Sequence, residues 1–264
     1  MNQRRSISRA IAAGAILAIS AVAAPGAHAQ TNPGQWQFGA SVYGWFPSLS
    51  GSSKFPEAAG GSSIDVSSED VVSALKMVFM GTLTARKDRW GLMADWVYAD
   101  LGASKDGVRD FAHLSLDLKA NILTLAGTYA LIQTPAHQMD VVFGTRMLKL
   151  EERLDYQFSG TLGPVSLPGR SGRSEISASN WDAIVGLGGR LRFGEGMRWF
   201  VPYYVDVGTG ESDLTWQAQA GVGYSFKWGD LLATWRYLDY NFKSSSALQS
   251  LSLNGPTIGA TFRW

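Results

Sequence analysis

Histidine is the residue that most often transfers protons in enzymes, and this chain of 264 residues contains only three. His113 lies near Asp106, Asp110 and Ser115 in the sequence. A carboxylate or a serine beside a histidine is the pairing that activates a water molecule or a nucleophile, so this segment is a candidate hydrolytic site. Its spacing does not fix the geometry that catalysis needs. We therefore expect His113 to be a solvated loop side chain and the protein not to be an enzyme.

The residues that usually bind metals and cofactors are scarce. Cysteine is absent, which excludes disulfides, thiolate metal sites and a cysteine nucleophile. The glycine runs at 186–189 and 208–210 lack the spacing and the strand-turn-helix context of phosphate-binding loops. We therefore expect no metal ion and no cofactor. The formal net charge of +1 also argues against a nucleic-acid partner, which would require a basic surface.

The sequence segments that would position these residues alternate between apolar and polar residues. In residues 213–227, Trp216 and Val222 fall on one face while Gln217 and Gln219 fall on the other. Strict alternation predicts a strand with one apolar and one polar face. The strands predicted in this way are 35–46, 76–86, 90–101, 114–131, 139–158, 176–193, 199–208, 213–227, 231–243 and 252–264.

The lengths of the connections predict how these strands are arranged. The gaps at 47–75, 102–113 and 159–175 are long, whereas those at 87–89, 194–198 and 228–230 are tight. Long extracellular loops, short periplasmic turns and an even strand number are typical of outer-membrane barrels. A β-sandwich also alternates. We predict an all-β fold, a transmembrane antiparallel up-and-down β-barrel of ten strands, with eight or twelve as the alternatives because 114–131 and 139–175 can be divided differently.

Aromatic residues gather at the ends of the predicted strands and favour the barrel over the sandwich. A sandwich core would place them in the middle of the strands, whereas a membrane barrel carries an aromatic girdle at each interface. One band includes Trp45, Trp96 and Trp181. The other lies beside the short connections, and its predicted membrane-interface anchors are Trp36, Trp90, Trp199, Trp228 and Trp264.

Charged residues within the strands are predicted to face the lumen, because an outward Arg or Lys at mid-bilayer costs about 2–4 kcal/mol. Both signs of charge occur, which predicts a filled interior held by arginine–aspartate hydrogen bonds. A narrow pore with a mild preference for anions is the alternative. The predicted lumen network, or pore lining, consists of Asp95, Asp117, Lys119, Arg146, Asp182, Arg190, Arg192, Asp206 and Arg236.

The longest predicted loop, 47–75, contains a helix-start pattern. Ser67 and Asp70 have the spacing of a capping box and are followed by apolar residues. This predicts a short helix at the rim or folded inward. The acids Asp65, Glu69 and Asp70 are candidates for a divalent cation that bridges lipopolysaccharide, although a solvated loop is the simpler expectation.

Residues 1–29 have the pattern of a secretory signal peptide. Three arginines precede an apolar segment from Ala10 to Ala24, and Ala27-His28-Ala29 supplies a small-x-small cleavage site. Cleavage would remove three arginines and no acid, so 23 basic and 22 acidic side chains become 20 and 22. The predicted mature domain is 30–264.

The segments 79–102, 181–193, 212–230 and 235–242 carry a family resemblance. They resemble the small outer-membrane β-barrel proteins of Gram-negative bacteria, in the broad OmpA/OmpW-like group, and more closely an uncharacterised proteobacterial barrel family. The alternating residues that end at Trp264 resemble the C-terminal targeting signal of such barrels. The resemblance implies a fold and an outer-membrane location, but no catalytic residues.

These observations lead to one expected function and two alternatives. We expect a non-enzymatic outer-membrane protein with a constricted polar lumen and a structural or surface-exposed role. Its partners would be outer-membrane lipid and lipopolysaccharide, with the barrel-assembly machinery acting during insertion. The alternatives are a narrow porin-like channel for small solutes and a surface hydrolase at the rim. The sequence does not indicate an oligomeric state.

Overall fold

The computed structural model describes residues 34–53, 62–106, 112–162, 165–246 and 248–264. The predicted signal peptide, 1–29, lies outside the described residues. The described chain is almost entirely β-structure. Its strands are β1 (Gln37–Trp45), β2 (Ser48–Ser53), β3 (Ser62–Val66), β4 (Leu75–Lys87), β5 (Trp90–Asp106), β6 (Ala112–Gln133), β7 (His137–Leu162), β8 (Val165–Phe193), β9 (Trp199–Gly210), β10 (Ser212–Ser225), β11 (Gly229–Phe242) and β12 (Leu248–Arg263).

These twelve strands of the described chain form the ten walls of a closed barrel. Consecutive strands from β4 to β12 pair antiparallel, and β1 closes the ring by pairing with β4 on one side and β12 on the other. β1 and β2 both pair with β12 and are one wall strand, bent at Phe46 and Pro47. β3 and β4 form the next wall strand. The predicted antiparallel barrel of ten strands is confirmed.

The predicted loop 47–75 is shorter than expected, because β2 and β3 form a hairpin within it. The predicted helix start is confirmed. Helix α1 (Ser68–Ser73) begins after Ser67, whose hydroxyl accepts a hydrogen bond from the backbone N–H of Asp70. This contact satisfies one of the free N–H groups at the start of the helix. α1 stands between β3 and β4 and interrupts that wall strand.

The interruption leaves a seam between the first two wall strands. β1 pairs with β4 only from Gln37 to Val42, and strand pairing resumes where Leu49 of β2 meets Val66 of β3. Between these two ladders, the backbone N–H of Trp45 donates to the sulfur of Met80 at 3.1 Å. A side chain thus replaces the backbone partner at this point of the wall.

The gap predicted at 159–175 is wrong. β7 and β8 continue to pair as far as Leu162 and Val165. The strands β5 to β8 contain 17, 22, 26 and 29 residues, whereas a tilted strand crosses a bilayer in about 9–11 residues. We call the excess length of these four strands the wall extension. Its sequence still alternates in part, with Leu114, Leu116 and Leu118 between Ser115, Asp117 and Lys119.

The outer face of the barrel is an apolar belt. Leu83, Leu92 and Ile258 are each more than 60% exposed, and a continuous apolar surface of this kind requires a lipid or protein cover. Closed β-barrels satisfy all backbone hydrogen bonds and are therefore able to span a membrane. In the part of the chain described by the structure, no helix combines the length and apolar character needed to cross a membrane.

Aromatic side chains follow the end of the barrel that carries the short connections, which we call the inner end. The five tryptophans predicted as interface anchors, Trp36, Trp90, Trp199, Trp228 and Trp264, are all exposed there. Rings stack along this edge, as from Phe226 through Trp228 to Phe262 at centroid distances of 5.6 and 5.3 Å. Short turns face the periplasm in outer-membrane barrels, so the inner end is the periplasmic end.

A candidate functional site in the barrel lumen

The inward face of β11 passes through four layers of the lumen. From the inner end outward, it presents Asp230, Thr234, Arg236, Leu238 and Tyr240, and all five are buried. These residues belong in turn to an inner charged mouth, a polar cavity, a layer of buried ion pairs and an apolar plug. The period of two places each of them on the same face.

The first buried ion pair joins Arg146 of β7 to Asp206 of β9. Arg146 donates from Nη1 to Asp206 Oδ1 at 3.0 Å and from Nη2 to Oδ2, while its Nε donates to Thr124 at 3.3 Å. Both charged side chains are 0% exposed. Gly186 makes room for this pair, because a Cβ there would lie 2.7 Å from the Cβ of Asp206. The fork of a guanidinium on a carboxylate is a strong, orienting contact.

The second buried ion pair centres on Arg236. Its Nη2 donates to Asp95 Oδ2 at 3.2 Å and to Gln217 at 2.8 Å, and its Nη1 donates to the hydroxyl of Tyr43 at 3.0 Å. Tyr43 in turn donates to Asp95 Oδ1 at 2.8 Å. The guanidinium also lies over the ring of Trp45, 4.7 Å from its centroid. These contacts tie the walls β1, β5, β10 and β11 together across the lumen.

Asp182 is buried beside the first pair, in register with Arg146. Its Oδ1 accepts from the backbone N–H of Ser212 at 2.8 Å, and its Oδ2 accepts from Asn180 at 2.8 Å. The carboxylate therefore fixes the short connection between β9 and β10 rather than lining a path for solutes.

An apolar plug fills the lumen on the outer side of the ion pairs. Trp45, which was predicted to belong to an interface band, is 3% exposed and lies inside the barrel. Trp45 follows Ser41 and Tyr43 at intervals of two residues on β1, so the alternation in the sequence places all three on the same face. The plug consists of Trp45, Met80, Val97, Ile122, Leu148, Leu238, Tyr240, Leu251 and Leu253.

The placement of Asp117 and Lys119 in the lumen is wrong. The inward face of β6 carries Ile122 and Thr124, both 2% exposed, so the odd-numbered residues face outward. Asp117 forms an ion pair with Lys76 on the outer face. Both predicted residues lie in the outer part of β6, beyond the length that spans the bilayer. A charge on the outer face there meets water rather than lipid, so the cost that directs charges inward does not apply.

A cavity of about 210 Å³ lies on the inner side of the ion pairs. Arg146, Arg236 and Asp95 form part of its lining. Beside a larger apolar surface, its wall exposes hydroxyl and amide groups, which can form hydrogen bonds with water and small polar solutes. These include Ser41, Thr82, Thr124, Gln217, Gln219, Thr234, Thr257 and Thr261.

The inner mouth is organised around Asp230, which was predicted to lie in a tight turn. Arg190 and Arg263 both donate to its Oδ2, and Ser225 donates to its Oδ1 at 2.7 Å. Arg192, predicted for the lumen together with Arg190, also faces inward and donates to Ser225. Thr234 and Arg236 face inward on β11. Asp230 lies an even number of residues before them, so the alternation along the strand predicts that it also faces inward.

The candidate hydrolytic site is only partly described. Asp106 and His113 are opposite each other in the pairing of β5 with β6, but their side chains and those of Asp110 and Ser115 lie outside the described residues. Among the described residues, the structure forms no group of three or more histidines and acids that could hold a metal ion. The hydrolase assignment stays a prediction.

Comparison with known proteins gives fold neighbours only. No family model and no curated protein matches the chain. The outer membrane protease OmpT from Escherichia coli is 8% identical, with a TM-score of 0.49 over 87% of this chain and 96% of the other. Ail, the attachment invasion locus protein of Yersinia pestis, is 10% identical, with a TM-score of 0.36 over 88% and 100%.

Neisserial surface protein A is 11% identical, with a TM-score of 0.34 over 87% of this chain and 97% of the other. The narrower resemblance to an uncharacterised proteobacterial family stays a prediction, since no family model matches. The closed ring of strands, the apolar belt and the aromatic inner edge define the type of protein. The chain is a small β-barrel protein of the Gram-negative outer membrane.

Proposed function

We propose that this protein is a non-enzymatic outer-membrane barrel that does not conduct ions and that acts at the cell surface through its wall extension. The observation that carries the proposal is the stack of buried ion pairs and apolar plug that crosses the lumen. Arg146, Asp206 and Arg236 are held by partners on other walls and are therefore unavailable to a passing solute.

The apolar plug supports a closed lumen more strongly than the ion pairs do. Water and ions enter an apolar constriction only at a cost, and such constrictions close pores by dewetting. Trp45 and Leu238 are 3% and 0% exposed, and Tyr240 stacks on Phe242 at 5.7 Å with nearly parallel rings. A solute that had crossed the ion-pair layer would still have to displace this packing.

The wall extension supports a role at the surface. The four strands β5 to β8 exceed the length needed to span the bilayer, whereas β9 to β12 contain 12 to 16 residues. Among the strands from β5 to β12, the excess length therefore belongs to β5–β8. Paired strands hold a fixed shape without a loop's conformational freedom, which lowers the entropic cost of binding a partner.

A narrow channel for small solutes is the second candidate function. The cavity of about 210 Å³ and its hydroxyl lining favour it, because this half of the lumen has the volume and polarity to hold water. In that case the apolar plug would be a gate that opens, and the selectivity would depend on the arginines of the inner half.

Conductance across a planar lipid bilayer separates the two candidates. The purified protein without residues 1–29 is refolded, and its insertion is checked by the shift in gel mobility on heating. We expect no stable unitary steps from the native protein. Trp45→Ala removes the largest ring of the plug and is expected to allow leakage, whereas Trp235→Ala, on the exposed outer face of β11, is the matched control and is expected to stay silent.

Stable unitary steps from the native protein, with a selectivity that changes in Arg236→Ala, would contradict the closed-lumen proposal and establish the channel. Silence in all three proteins with correct insertion would support closure and would show that the remaining eight plug residues suffice for it.

A further inference from the structure

The inner mouth of the barrel holds more positive than negative charge. Arg190, Arg192 and Arg263 point into it, and Asp230 is the carboxylate at their centre. The neighbouring Arg86 is neutralised by its own ion pair with Asp140. Three guanidinium groups around one carboxylate leave an excess of two positive charges at the periplasmic opening of the lumen.

Asp230 has no capacity left to balance the third arginine. It is 1% exposed, and its two oxygens already accept from Arg190, Arg263 and Ser225. Arg192 reaches it only through Ser225, to which its Nη1 donates at 3.4 Å, and a second bond goes to the backbone carbonyl of Met197 at 3.3 Å. Among the described residues, no carboxylate forms an ion pair with Arg192.

The two arginines of β8 contact the same aromatic ring. The guanidinium carbons of Arg190 and Arg192 lie 5.7 and 5.9 Å from the centre of the same ring, that of Phe200. Phe200 is 2% exposed, so a packed ring fixes both side chains. The side chains of Arg190 and Arg263 are 25% and 36% exposed, which leaves part of this charge accessible from the opening.

The mouth lies next to the cavity along the inward faces of β11 and β12. Leu232 and Thr261 line the cavity, and Asp230 and Arg263 are the next inward residues toward the inner end of the same two strands. An ion that enters from the periplasm therefore meets the arginines first and has space beyond them. A charged opening with walls of low dielectric raises the local concentration of the opposite charge.

We propose that the inner mouth is a binding site for a small oxyanion, with Arg192 as its principal ligand and Arg190 and Arg263 supplying the remaining charge. Guanidinium groups bind phosphate and carboxylate through paired N–H donors and prefer them to a spherical ion such as chloride. The phosphate chemistry has two sources, a free ion in the periplasm and a phospholipid headgroup at the inner rim. The site does not depend on whether the lumen conducts.

Isothermal titration calorimetry with inorganic phosphate tests this site. The refolded protein is kept in maltoside micelles, which contain no phosphate, and sodium chloride keeps the ionic strength constant. We expect saturable binding at one site and at least a tenfold weaker affinity in Arg192→Gln. Arg198→Gln is the matched control, because Arg198 lies in the adjoining turn and donates to Tyr224 instead, so its affinity should equal that of the native protein.

A second arm distinguishes the source of the anion. The titration is repeated in micelles that contain phosphatidylglycerol. Loss of phosphate binding identifies the headgroup as a competitor for the site, and unchanged binding identifies a free ion. Native protein that binds no phosphate in either arm, or equal losses in Arg192→Gln and Arg198→Gln, would overturn the proposal. The gel-mobility shift on heating confirms that each variant is folded before it is titrated.

Discussion

Loss of one partner from the Arg146–Asp206 pair should destabilise the barrel severely. In Asp206→Ala the guanidinium of Arg146 keeps its hydrogen bond to Thr124 but loses both bonds to the carboxylate. Both charged side chains are 0% exposed, so bulk water does not solvate the guanidinium, and the cavity beside it has room for only a few water molecules. Breaking a buried pair in this way typically costs about 3–5 kcal/mol. We expect a loss of that size in the free energy of unfolding.

The assay is equilibrium unfolding in urea of the protein inserted in lipid vesicles, followed by tryptophan fluorescence. Two further variants make the result specific. The double variant Arg146→Leu/Asp206→Leu removes both charges and should recover most of the lost stability, since an apolar pair of similar size is often neutral or better. Asp117→Asn breaks the exposed pair with Lys76 on the outer face and should cost less than about 1 kcal/mol.

The refuting result is a cost for Asp206→Ala as small as that for Asp117→Asn. Arg146 would then be stabilised by water in the absence of its partner. The ion-pair layer would then be hydrated rather than packed, and closure of the lumen would depend on the apolar plug alone.

Two further predictions concern the outer surface. Ile258→Arg places a charge on the exposed lipid-facing side of β12 and should cost about 2–4 kcal/mol in the vesicle unfolding assay, whereas Ile258→Phe should be nearly neutral; equal costs would mean that this face does not meet lipid. Replacing residues 154–174 by Asn-Gly closes the β7–β8 hairpin near Arg153 and Glu175, which are paired, and should leave insertion and the heat-dependent gel shift intact. A variant that fails to insert would show that the wall extension is needed to form the barrel.

The period of two was sufficient to predict the wall strands within the bilayer. Along β10 and β11 each residue meets lipid or lumen, so the alternation carries the whole fold. The same rule placed Arg146, Asp206 and Arg236 inside without knowledge of their partners. It did not pair them, because residues far apart in the sequence, such as Arg236 and Asp95, meet only when the ring closes.

The alternation predicts side-chain orientation less well outside the bilayer, where the outer face of the barrel no longer contacts lipid. Asp117 and Lys119 were assigned to the lumen by the cost of a charge in lipid, but that cost vanishes in the wall extension. The preference of tryptophan for the interface predicts an outward Trp45, whereas its position two residues after the inward-facing Tyr43 predicts the inward orientation that the structure has. The apolar plug was missed because apolar residues on the inner face contradict the simple pattern of a polar lumen.

The seam between β1 and β4 has a mechanical consequence. Backbone hydrogen bonds between neighbouring strands run around the whole barrel and resist an increase in its circumference. At Trp45, the link between β1 and β4 is one contact between a backbone N–H and the sulfur of Met80. On β4, the neighbouring residues Met77, Val78 and Phe79 form an exposed apolar surface. We therefore expect this point of the described wall to yield first under lateral tension in the membrane. Trp45 and Met80 both belong to the plug, so we expect a change in the width of the ring at this seam to disturb the packing of the plug as well.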